Sequence, residues 1–539
     1  MTQVNNPLSM AELEEVLSTC KNSSPGPNNL PVVMIKHLTK PSKQTLLSLY
    51  NIIWSNNVFP DIWKVATVIP ISKPGKDHSN PTNFRPISLT CNLGKILEKI
   101  VNKRLIWILE KANWLSSAQN GFRKFHSTYH ALIPFNDYVS NALHNHKQVV
   151  ALDIQKAYDM VWKHRMIKIL TQLGFHENII QYIQNFLKDR SIQVKVNDIL
   201  SSKKEIANGV PQGSVLSVTL FLIAINDIVN CIPAPVQGLL YADDLIIYCS
   251  GSQVNNICDL LQEVLNNIVQ WCSHSGFQLA ENKTEYMVFS NMKKQTTCPH
   301  LHINNVLLKQ TTHIKLLDMY FDSKLRSNVH IEHLKRKYHQ KLSIIRTLAS
   351  KNWGSDTDIL LNVYKALIRS TLDYGAILYN TASKSLLKKL DTIQTSALRL
   401  SIGAFRSSPR PSILAEANEI PLDLRRTQLI LNFKPSTTHI PPYPRDENNK
   451  KSFFSTLIAI SLSLNVIKNN QFKKTIICTD SLSSVQALMN PFSDSPMVQE
   501  CQLKLWNLSK QGEIVIAWVP AHIGIPGNEL ADSEAKSAI

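Results

Sequence analysis

The chain has 539 residues, which is enough for about three domains. Its hydrophobic fraction of 44% is ordinary for a globular chain that buries cores. Lys and Arg total 58 against 40 acidic residues, so the formal net charge is +18. An excess of this size favours a polyanionic partner, nucleic acid before an acidic membrane, although it also serves simple solubility.

Several classes of protein are excluded by what the sequence lacks. No apolar run reaches the roughly 20 residues of a membrane span, and no signal peptide opens the chain. The nine cysteines are scattered and odd in number, without a C-x-x-C pair, which indicates thiols in a reducing compartment. Cys298, His300 and His302 form the one close Cys/His cluster, and no zinc site is expected there. We therefore expect an intracellular protein of the nucleus or cytoplasm, with no membrane partner.

The first 53 residues have helical periodicity interrupted by one turn. Met10, Leu13, Val16 and Leu17 fall on one helical face. A Pro- and Gly-containing turn at 23–29 separates it from a second helix, predicted from Ser42 to Trp54 with Ser42 as its N-cap.

The next stretch alternates strand and helix patterns and is basic. Residues 64–71 are strand-like and lead into the basic turn 73–76. Residues 83–89 follow, and then a helix is predicted from 93 to 109. For Lys64 and Lys95 individually, a solvated surface charge is the preferred interpretation.

Acidic side chains follow two buried-type strands. Residues 149–153 form an apolar strand that ends in Asp153, and residues 236–248 predict a hairpin with Asp243 and Asp244 at its turn. Adjacent carboxylates repel unless a cation neutralises them, and Mg²⁺ or Mn²⁺ prefers oxygen ligands. The two strand ends could hold two metal ions about 4 Å apart for phosphoryl transfer. An exposed Asp-Asp turn is the alternative.

Three segments together resemble a known family. Tyr-Ala-Asp-Asp at 241–244, Leu-Asp-Ile-Gln-Lys-Ala-Tyr-Asp at 152–159 and Gly-Val-Pro-Gln-Gly-Ser-Val-Leu-Ser at 209–217 resemble the catalytic motifs of reverse transcriptases. Their order and spacing are most similar to those of non-long-terminal-repeat retrotransposons of the jockey-like type. The resemblance implies a mixed α+β right-hand polymerase with fingers, palm and a helical thumb, followed by a partial ribonuclease H-like α/β domain.

The resemblance also implies roles for individual residues. Asp153, Asp243 and Asp244 would be catalytic and hold two Mg²⁺ (or Mn²⁺) ions. Substrate contacts are implied for Arg123 as a phosphate ligand, Tyr158 as a steric gate under the incoming sugar, and Gln212 and Gly213 in the nucleotide and template pocket. Lys283 matches a lysine that protonates the pyrophosphate leaving group. Tyr158 as a core aromatic and Lys283 as a surface lysine remain the alternatives.

Later segments resemble the thumb and the primer-contacting hairpin of the same family. Residues 314–321 resemble that hairpin, but Asp318 stands where a glycine is usual, and its carboxylate is expected to repel primer phosphates. Residues 327–432 are helical and basic, which suits a thumb that grips an RNA–DNA hybrid. One amphipathic stripe there consists of Leu386, Leu390, Ile393, Ala397 and Leu400.

The C-terminal segment resembles the back half of a ribonuclease H domain. Asp480 and Asp532 would be its metal ligands and His522 its mobile assistant. Thr456 stands where a Glu belongs, and no Asp-Gly-Ser strand precedes it. Because two of four carboxylates cannot position two Mg²⁺ ions, we expect ribonuclease H activity to be lost.

The resemblance divides the chain into an N-terminal helical extension of the fingers (1–53), fingers and palm (54–324), a helical thumb or connection (325–433), a linker (434–452) and a truncated ribonuclease H-like domain (453–539). It implies an RNA-directed DNA polymerase of a mobile element that uses an RNA template, a DNA primer, their hybrid and deoxynucleoside triphosphates. No room is left upstream for an endonuclease domain, so a partial product is expected.

Two rival interpretations remain. One is a catalytically decayed remnant that only binds nucleic acid, which Asp318 and the truncated nuclease segment favour. The other is a DNA-templated or telomere-type polymerase, which the thumb and C-terminal similarity disfavour.

Overall fold

The computed structural model describes residues 5–73, 75–154, 162–206, 208–292, 301–350 and 353–433, and in the C-terminal part 460, 464, 474–479, 488–489, 496–509 and 513–518. The chain divides into two compact units, Met1–Pro441 and Pro442–Ile539. This division falls inside the predicted linker 434–452, and the finer domain boundaries stay predictions. In the described parts, no helix combines the length and the apolar character needed to cross a bilayer.

The first unit begins with short helices that pack on one long helix. They are α1 (Met10–Thr19), α2 (Val32–Lys36), α3 (Lys40–Ser55), α4 (Asp61–Lys64) and the long α5 (Asn92–Lys111). A capping box between Ser9 and Glu12 starts α1. Glu12 also forms a buried ion pair with Arg104 of α5, with Oε1 2.7 Å from Nε. The N-cap of α3 is Thr39 and not the predicted Ser42, whose backbone N–H donates to the Thr39 hydroxyl.

A mixed sheet follows, which we call the outer sheet. Its strands are β1 (Val65–Ser72), β2 (Phe84–Leu89), β4 (Ser191–Val196), β5 (Ile199–Leu200) and β6 (Lys204–Glu205). The order is β2-β1-β4-β5, with β6 also paired to β4, and β1 and β4 run parallel.

A second sheet, which we call the central sheet, organises the first unit. Its order is β12-β9-β3-β8-β7, with β3 (Gln148–Ile154), β7 (Gln237–Tyr241), β8 (Asp244–Gly251), β9 (Glu285–Phe289) and β12 (Lys309–Gln310). Strand β3 is buried on both faces because apolar residues occupy both. Val150 and Leu152 face one core cluster, whereas Val149 and Ala151 face another.

Helices cover both faces of the central sheet. They are α6 (Thr128–His144) on one face and α9 (Val215–Ile225) and α10 (Val254–Ser275) on the other. The core on the α9 and α10 face also includes α7 (Lys163–Gln172) and α8 (Glu177–Leu187). A small hairpin of β10 (His302–Ile303) and β11 (Val306–Leu307) contributes Ile303 to this core. Another hairpin pairs β13 (His313–Leu316) with β14 (Met319–Asp322).

The rest of the first unit is helical, as expected from its periodicity. Its helices are α11 (Asn328–Leu348), α12 (Thr357–Tyr364), α13 (Ser370–Asp373), α14 (Ala376–Tyr379), α15 (Lys384–Ser401), α16 (Arg410–Glu416) and α17 (Leu422–Asn432). The predicted stripe on α15 is confirmed: Leu390, Ile393 and Ala397 are buried, and Leu386 and Leu400 pack against the same cluster.

The second unit contains a β-α-β crossover. Strands β15 (Lys474–Thr479) and β16 (Glu513–Trp518) are parallel, and α18 (Pro496–Ser509) lies between them in sequence. Ile460, Leu464 and Leu508 form its described buried cluster. Asp480, His522 and Asp532 lie outside the described residues, so their predicted roles stay predictions.

Candidate active site at one edge of the central sheet

The predicted hairpin around the Asp pair is present. Strands β7 and β8 are antiparallel, and Tyr241 pairs with Asp244 across a two-residue turn of Ala242 and Asp243. Ala242 has a φ of 57°, and a positive φ at the first central position is typical of the tight turns that match strand twist. Asp243 therefore lies in the turn, and Asp244 is the first residue of β8.

Asp153 lies beside this turn on the neighbouring strand. Asp153 pairs with Ile246, and Ile154 pairs with Leu245. Directly paired residues project from the same face, as do alternate residues of one strand. Asp153 and Asp244 therefore share a face as diagonal neighbours, roughly 7–8 Å apart in a regular ladder. All three carboxylates are half-buried at one edge of the central sheet.

The chemistry of this donor set fits a hard divalent cation. Carboxylate oxygens are the ligands that Mg²⁺ prefers. Within the described residues, no group of three or more His, Cys, Asp and Glu side chains is arranged as a metal-binding cluster. Mg²⁺ commonly takes one or two protein carboxylates and completes its octahedron with water and substrate phosphates. The carboxylates at this edge can thus supply part of a ligand set, to which a bound triphosphate would add the remaining oxygens.

Two further residues lie at the same edge on β9 or just before it. Glu285, which sequence analysis missed, pairs with Asp153 across the ladder, and its Oε1 is 3.5 Å from Nζ of Lys309. Lys283 precedes β9 by two residues and is exposed. It lines a cleft of about 760 Å³ together with Trp162 and Phe277. Its role as a general acid stays a prediction.

The loop with Gln212 and Gly213 is anchored to β2 and α5. The Ser88 N–H of β2 donates to the Gln212 carbonyl at 2.7 Å. Gly213 has a φ of 131°, and a Cβ there would lie 2.3 Å from the Ser88 carbonyl oxygen, so glycine is required. The close approach that this glycine allows in the structure is to the backbone of Ser88. The nucleotide contact stays a prediction.

Glu98 of α5 fixes the other end of that loop. Its carboxylate is 1% exposed and accepts hydrogen bonds from the Ser214 hydroxyl and from the Val215 N–H at 2.9 Å. These groups form the start of α9, where an anion is favoured by the helix dipole. Sequence analysis assigned no role to Glu98.

Arg123 has a different set of partners from the one predicted. Its guanidinium donates to both oxygens of Glu110, at 2.9 and 2.6 Å, and to the carbonyls of Ser116 and Gln119. The Arg123 side chain is only 11% exposed. In the structure Arg123 therefore braces this segment, and its role as a phosphate ligand stays a prediction.

The expected repulsion at Asp318 is wrong, because two lysines neutralise this carboxylate. Asp318 Oδ1 is 2.7 Å from Nζ of Lys315, and Oδ2 is 3.3 Å from Nζ of Lys337 on α11. The hydrogen bond from Lys315 is the main cause that lowers the pKa of Asp318, and it raises the pKa of Lys315. Asp318 and its two lysine partners, of which Lys337 comes from α11, therefore carry a net positive charge together.

Tyr158 and Asp159 lie outside the described residues, as do Cys298 and His300. The steric-gate role of Tyr158 accordingly stays a prediction.

Comparison with known proteins identifies the class. The family model for reverse transcriptase (RNA-dependent DNA polymerase) matches residues 71–338, and the model for ribonuclease H matches residues 426–539. The chain therefore carries a reverse transcriptase domain with a ribonuclease H domain after it, and the expected fold class, a mixed α and β polymerase followed by a ribonuclease H-like domain, is confirmed. The ribonuclease H match begins within α17, earlier than the predicted boundary at 453.

The relatives are polymerases of non-long-terminal-repeat retrotransposons. The chain is 30% identical over 414 residues to the RNA-directed DNA polymerase from mobile element jockey of Drosophila melanogaster, which covers 75% of this chain and 45% of the relative. It is 28% identical over 410 residues to the probable RNA-directed DNA polymerase from transposon BS of the same species, covering 74% and 45%. The chain thus spans less than half the length of these curated relatives.

Among solved structures, a telomerase from Candida tropicalis aligns with a TM-score of 0.35 and 14% identity, covering 51% of this chain and 59% of that one. A telomerase from Candida albicans aligns with a TM-score of 0.31 and 12% identity, covering 72% and 68%.

Proposed function

We propose that the chain is an RNA-directed DNA polymerase of a retrotransposon, which adds deoxynucleotides to a primer 3′-hydroxyl. The observation that carries this proposal is the strand register, which brings Asp153 alongside the turn with Asp243 and Asp244. The relatives named as RNA-directed DNA polymerases support the same activity.

Asp153 and Asp243 are the residues that would hold two Mg²⁺ or Mn²⁺ ions, with Asp244 supporting the site. When bound, such ions neutralise phosphate charge and make the primer hydroxyl easier to deprotonate. The protein's part is to fix the carboxylates on the ends of paired strands, which are more rigid than a free loop. Lys283, at the same edge, would supply a proton to the leaving pyrophosphate.

An RNA template and its hybrid with the primer are the proposed nucleic-acid partners. Exposed cations on α11 and α15 include Lys335, Arg336, Lys384 and Lys388. Their charge suits contacts with the phosphate backbone, which carries no sequence information. The deoxynucleoside triphosphate would lie near the loop with Gln212 and Gly213 and over Tyr158.

The decayed-remnant alternative loses one of its supports. Its argument from Asp318 fails because Lys315 and Lys337 pair with that carboxylate. The alternative still predicts a protein that binds an RNA–DNA hybrid and performs no synthesis.

We also propose that ribonuclease H cleavage is lost. The support is the sequence alone, since Thr456 stands where a Glu is expected and only Asp480 and Asp532 remain of the ligand set. Two carboxylates are too few to hold two ions without further ligands.

Primer extension tests both the proposed polymerase activity and the proposed loss of ribonuclease H cleavage. We expect an oligo(dT) primer on poly(rA), with dTTP and Mg²⁺ or Mn²⁺, to be extended by the wild type. Asp243→Asn should abolish extension and retain hybrid binding, because one carboxylate of the ion site is lost. Asp198→Asn, at the exposed tip between β4 and β5, is the matched control and should extend normally.

Hybrid binding by the wild type without synthesis would support the remnant and overturn the polymerase proposal. End-labelling the template in the same reactions reports cleavage of the RNA strand. Cleavage that disappears in Asp480→Asn would overturn the proposed loss of ribonuclease H activity.

A further inference from the structure

The turn with Asp243 is backed by a segment far away in sequence. Residues 118–120 run beside β7: the Leu240 N–H donates to the Ala118 carbonyl at 2.9 Å, and the Asn120 N–H donates to the Leu240 carbonyl at 2.8 Å. Gln119 and Leu240 form a parallel bridge. This segment therefore extends the central sheet beyond β7 at the end where the carboxylates lie.

The Gln119 side chain holds both backbone groups of Ala242. Gln119 is 0% exposed. Its Oε1 accepts from the Ala242 N–H at 3.0 Å and from the Gly121 N–H at 2.8 Å. Its Nε2 donates to the Ala242 carbonyl at 3.4 Å. Ala242 has a positive φ, which is unfavourable for a residue with a Cβ and persists where surrounding contacts impose it.

Gly121 lets the segment lie this close to the turn. A Cβ at Gly121 would stand 2.1 Å from the Ala242 nitrogen. Any larger residue must therefore push the segment and the turn apart. Gln119 and Gly121, which are two residues apart, thus both contact the backbone nitrogen of Ala242 or its N–H.

The segment is itself braced from behind. Nη1 of Arg123 donates to the carbonyls of Ser116 at 3.0 Å and Gln119 at 3.1 Å. Glu110 of α5 fixes the same guanidinium with two hydrogen bonds. A continuous set of polar contacts therefore runs from α5 through Arg123 and Gln119 to Ala242.

We propose that Gln119 is a positioning residue that sets the backbone of Ala242 and so the place at which Asp243 presents its carboxylate. A glutamine suits this task because one planar group supplies both an acceptor and a donor. The expected effect on Mg²⁺ binding rests on the proposed function, whereas the hydrogen bonds that hold the turn do not. Metal affinity depends on groups that orient the ligands as well as on the ligands.

Three substitutions test the contacts of Gln119 and Gly121 with Ala242, and a fourth controls for the loss of a buried amide. Gln119→Met removes the acceptor and the donor. Gln119→Glu keeps the acceptor and removes the donor, and Gly121→Ala displaces the turn sterically. The control, Gln148→Met, deletes another buried glutamine amide at the opposite end of β3, where Nε2 donates to the Ser290 hydroxyl.

The first readout is hydrogen exchange of the peptide that contains Ala242 in the full chain without nucleic acid. Gln119→Met should speed exchange of the Ala242 amide about 10-fold or more, because its acceptor is gone. Gln148→Met should leave it unchanged. Unchanged exchange in Gln119→Met would overturn the proposal whether or not the chain polymerises.

The second readout is the Mg²⁺ concentration that gives half-maximal single-nucleotide incorporation. We expect it to rise about 10-fold in Gln119→Met, and kcat to fall about 10- to 100-fold, as for a misplaced catalytic group. Gln119→Glu should lie between Gln119→Met and the wild type. The Kd for primer–template should stay constant, and Gln148→Met should lose similar thermal stability without a change in Mg²⁺ dependence.

A Gln119→Met protein with wild-type Mg²⁺ dependence would overturn the positioning role. If the wild type itself makes no product, the polymerase proposal fails, and the exchange measurement alone decides the role of Gln119.

Discussion

The guanidinium of Arg123 and the carboxylate of Glu110 form a nearly buried pair, 2.6 Å apart at Nη2 and Oε2. Breaking such a pair from one side leaves an uncompensated charge and commonly destabilises a protein by about 3 kcal/mol. Replacing both partners with neutral side chains removes that penalty. Comparing the single and double variants of this pair therefore distinguishes a structural role for Arg123 from a role as a phosphate ligand.

We expect Arg123→Met to lower the free energy of unfolding by about 3 kcal/mol and to reduce polymerisation. The double variant Arg123→Met with Glu110→Gln should recover most of the stability and part of the activity, because the lone charge is gone. Urea unfolding and the KM for dTTP measure these effects. Recovered stability with a KM as high as in the single variant would instead mark Arg123 as a direct triphosphate ligand.

For single residues, the sequence revealed the candidate metal ligands more readily than the residues that position them. Asp153, Asp243 and Asp244 follow apolar strand patterns and could be recognised locally. Gln119 could not, because its partner Ala242 is 123 positions away. The resemblance implied Arg123 as a phosphate ligand, but only the fold shows that Glu110 and two backbone carbonyls accept its hydrogen bonds.

Among the secondary-structure elements, α9 depends on a charge from another helix. Its first N–H groups and the Ser214 hydroxyl share one oxygen of Glu98. A buried carboxylate at a helix start both satisfies unpaired donors and interacts favourably with the helix dipole. Because the loop with Gln212 and Gly213 leads into this start, Glu98 also restrains the proposed nucleotide pocket.

We expect Glu98→Gln to lower the free energy of unfolding by about 1–2 kcal/mol, since the amide keeps an acceptor but not the charge. The KM for dTTP should rise, with the Kd for primer–template unchanged. Urea unfolding and steady-state kinetics measure both. Glu332→Gln, on the exposed surface of α11, is the control and should change stability by less than about 0.5 kcal/mol. Equal stability losses in the two variants would contradict the capping role.

Helices and strands were predictable where the hydrophobic periodicity was strong. Errors arose where a residue's role depends on partners that are distant in sequence. The amphipathic stripe of α15 followed from its spacing, and strands β3, β7 and β8 of the central sheet followed from their apolar runs. The predicted start of α3 is wrong because Thr39 and Ser42 are both favourable cap residues, and local sequence alone does not choose between them. Asp318 was misjudged because Lys337 reaches it from α11, a contact that sequence spacing does not reveal.

For the whole molecule, charge and strand register together support a nucleic-acid polymerase. The net charge of +18 is accompanied by exposed basic residues on α11 and α15, whereas acidic side chains gather at one edge of the central sheet. Each compact unit has its own described core. The order of the two domains was predictable from motifs, and the division between the two units falls inside the aperiodic segment predicted as a linker.

The most direct test of the central claim is the number of Mn²⁺ ions bound by the full chain. It can be measured by electron paramagnetic resonance with primer–template, a 3′-deoxy primer end and dTTP. We predict two ions per chain, and at least about 10-fold weaker binding of one or both in Asp153→Asn and in Asp243→Asn, with Asp198→Asn unaffected. Two ions bound equally tightly by the wild type and by Asp153→Asn would contradict the claim that these carboxylates form one metal site.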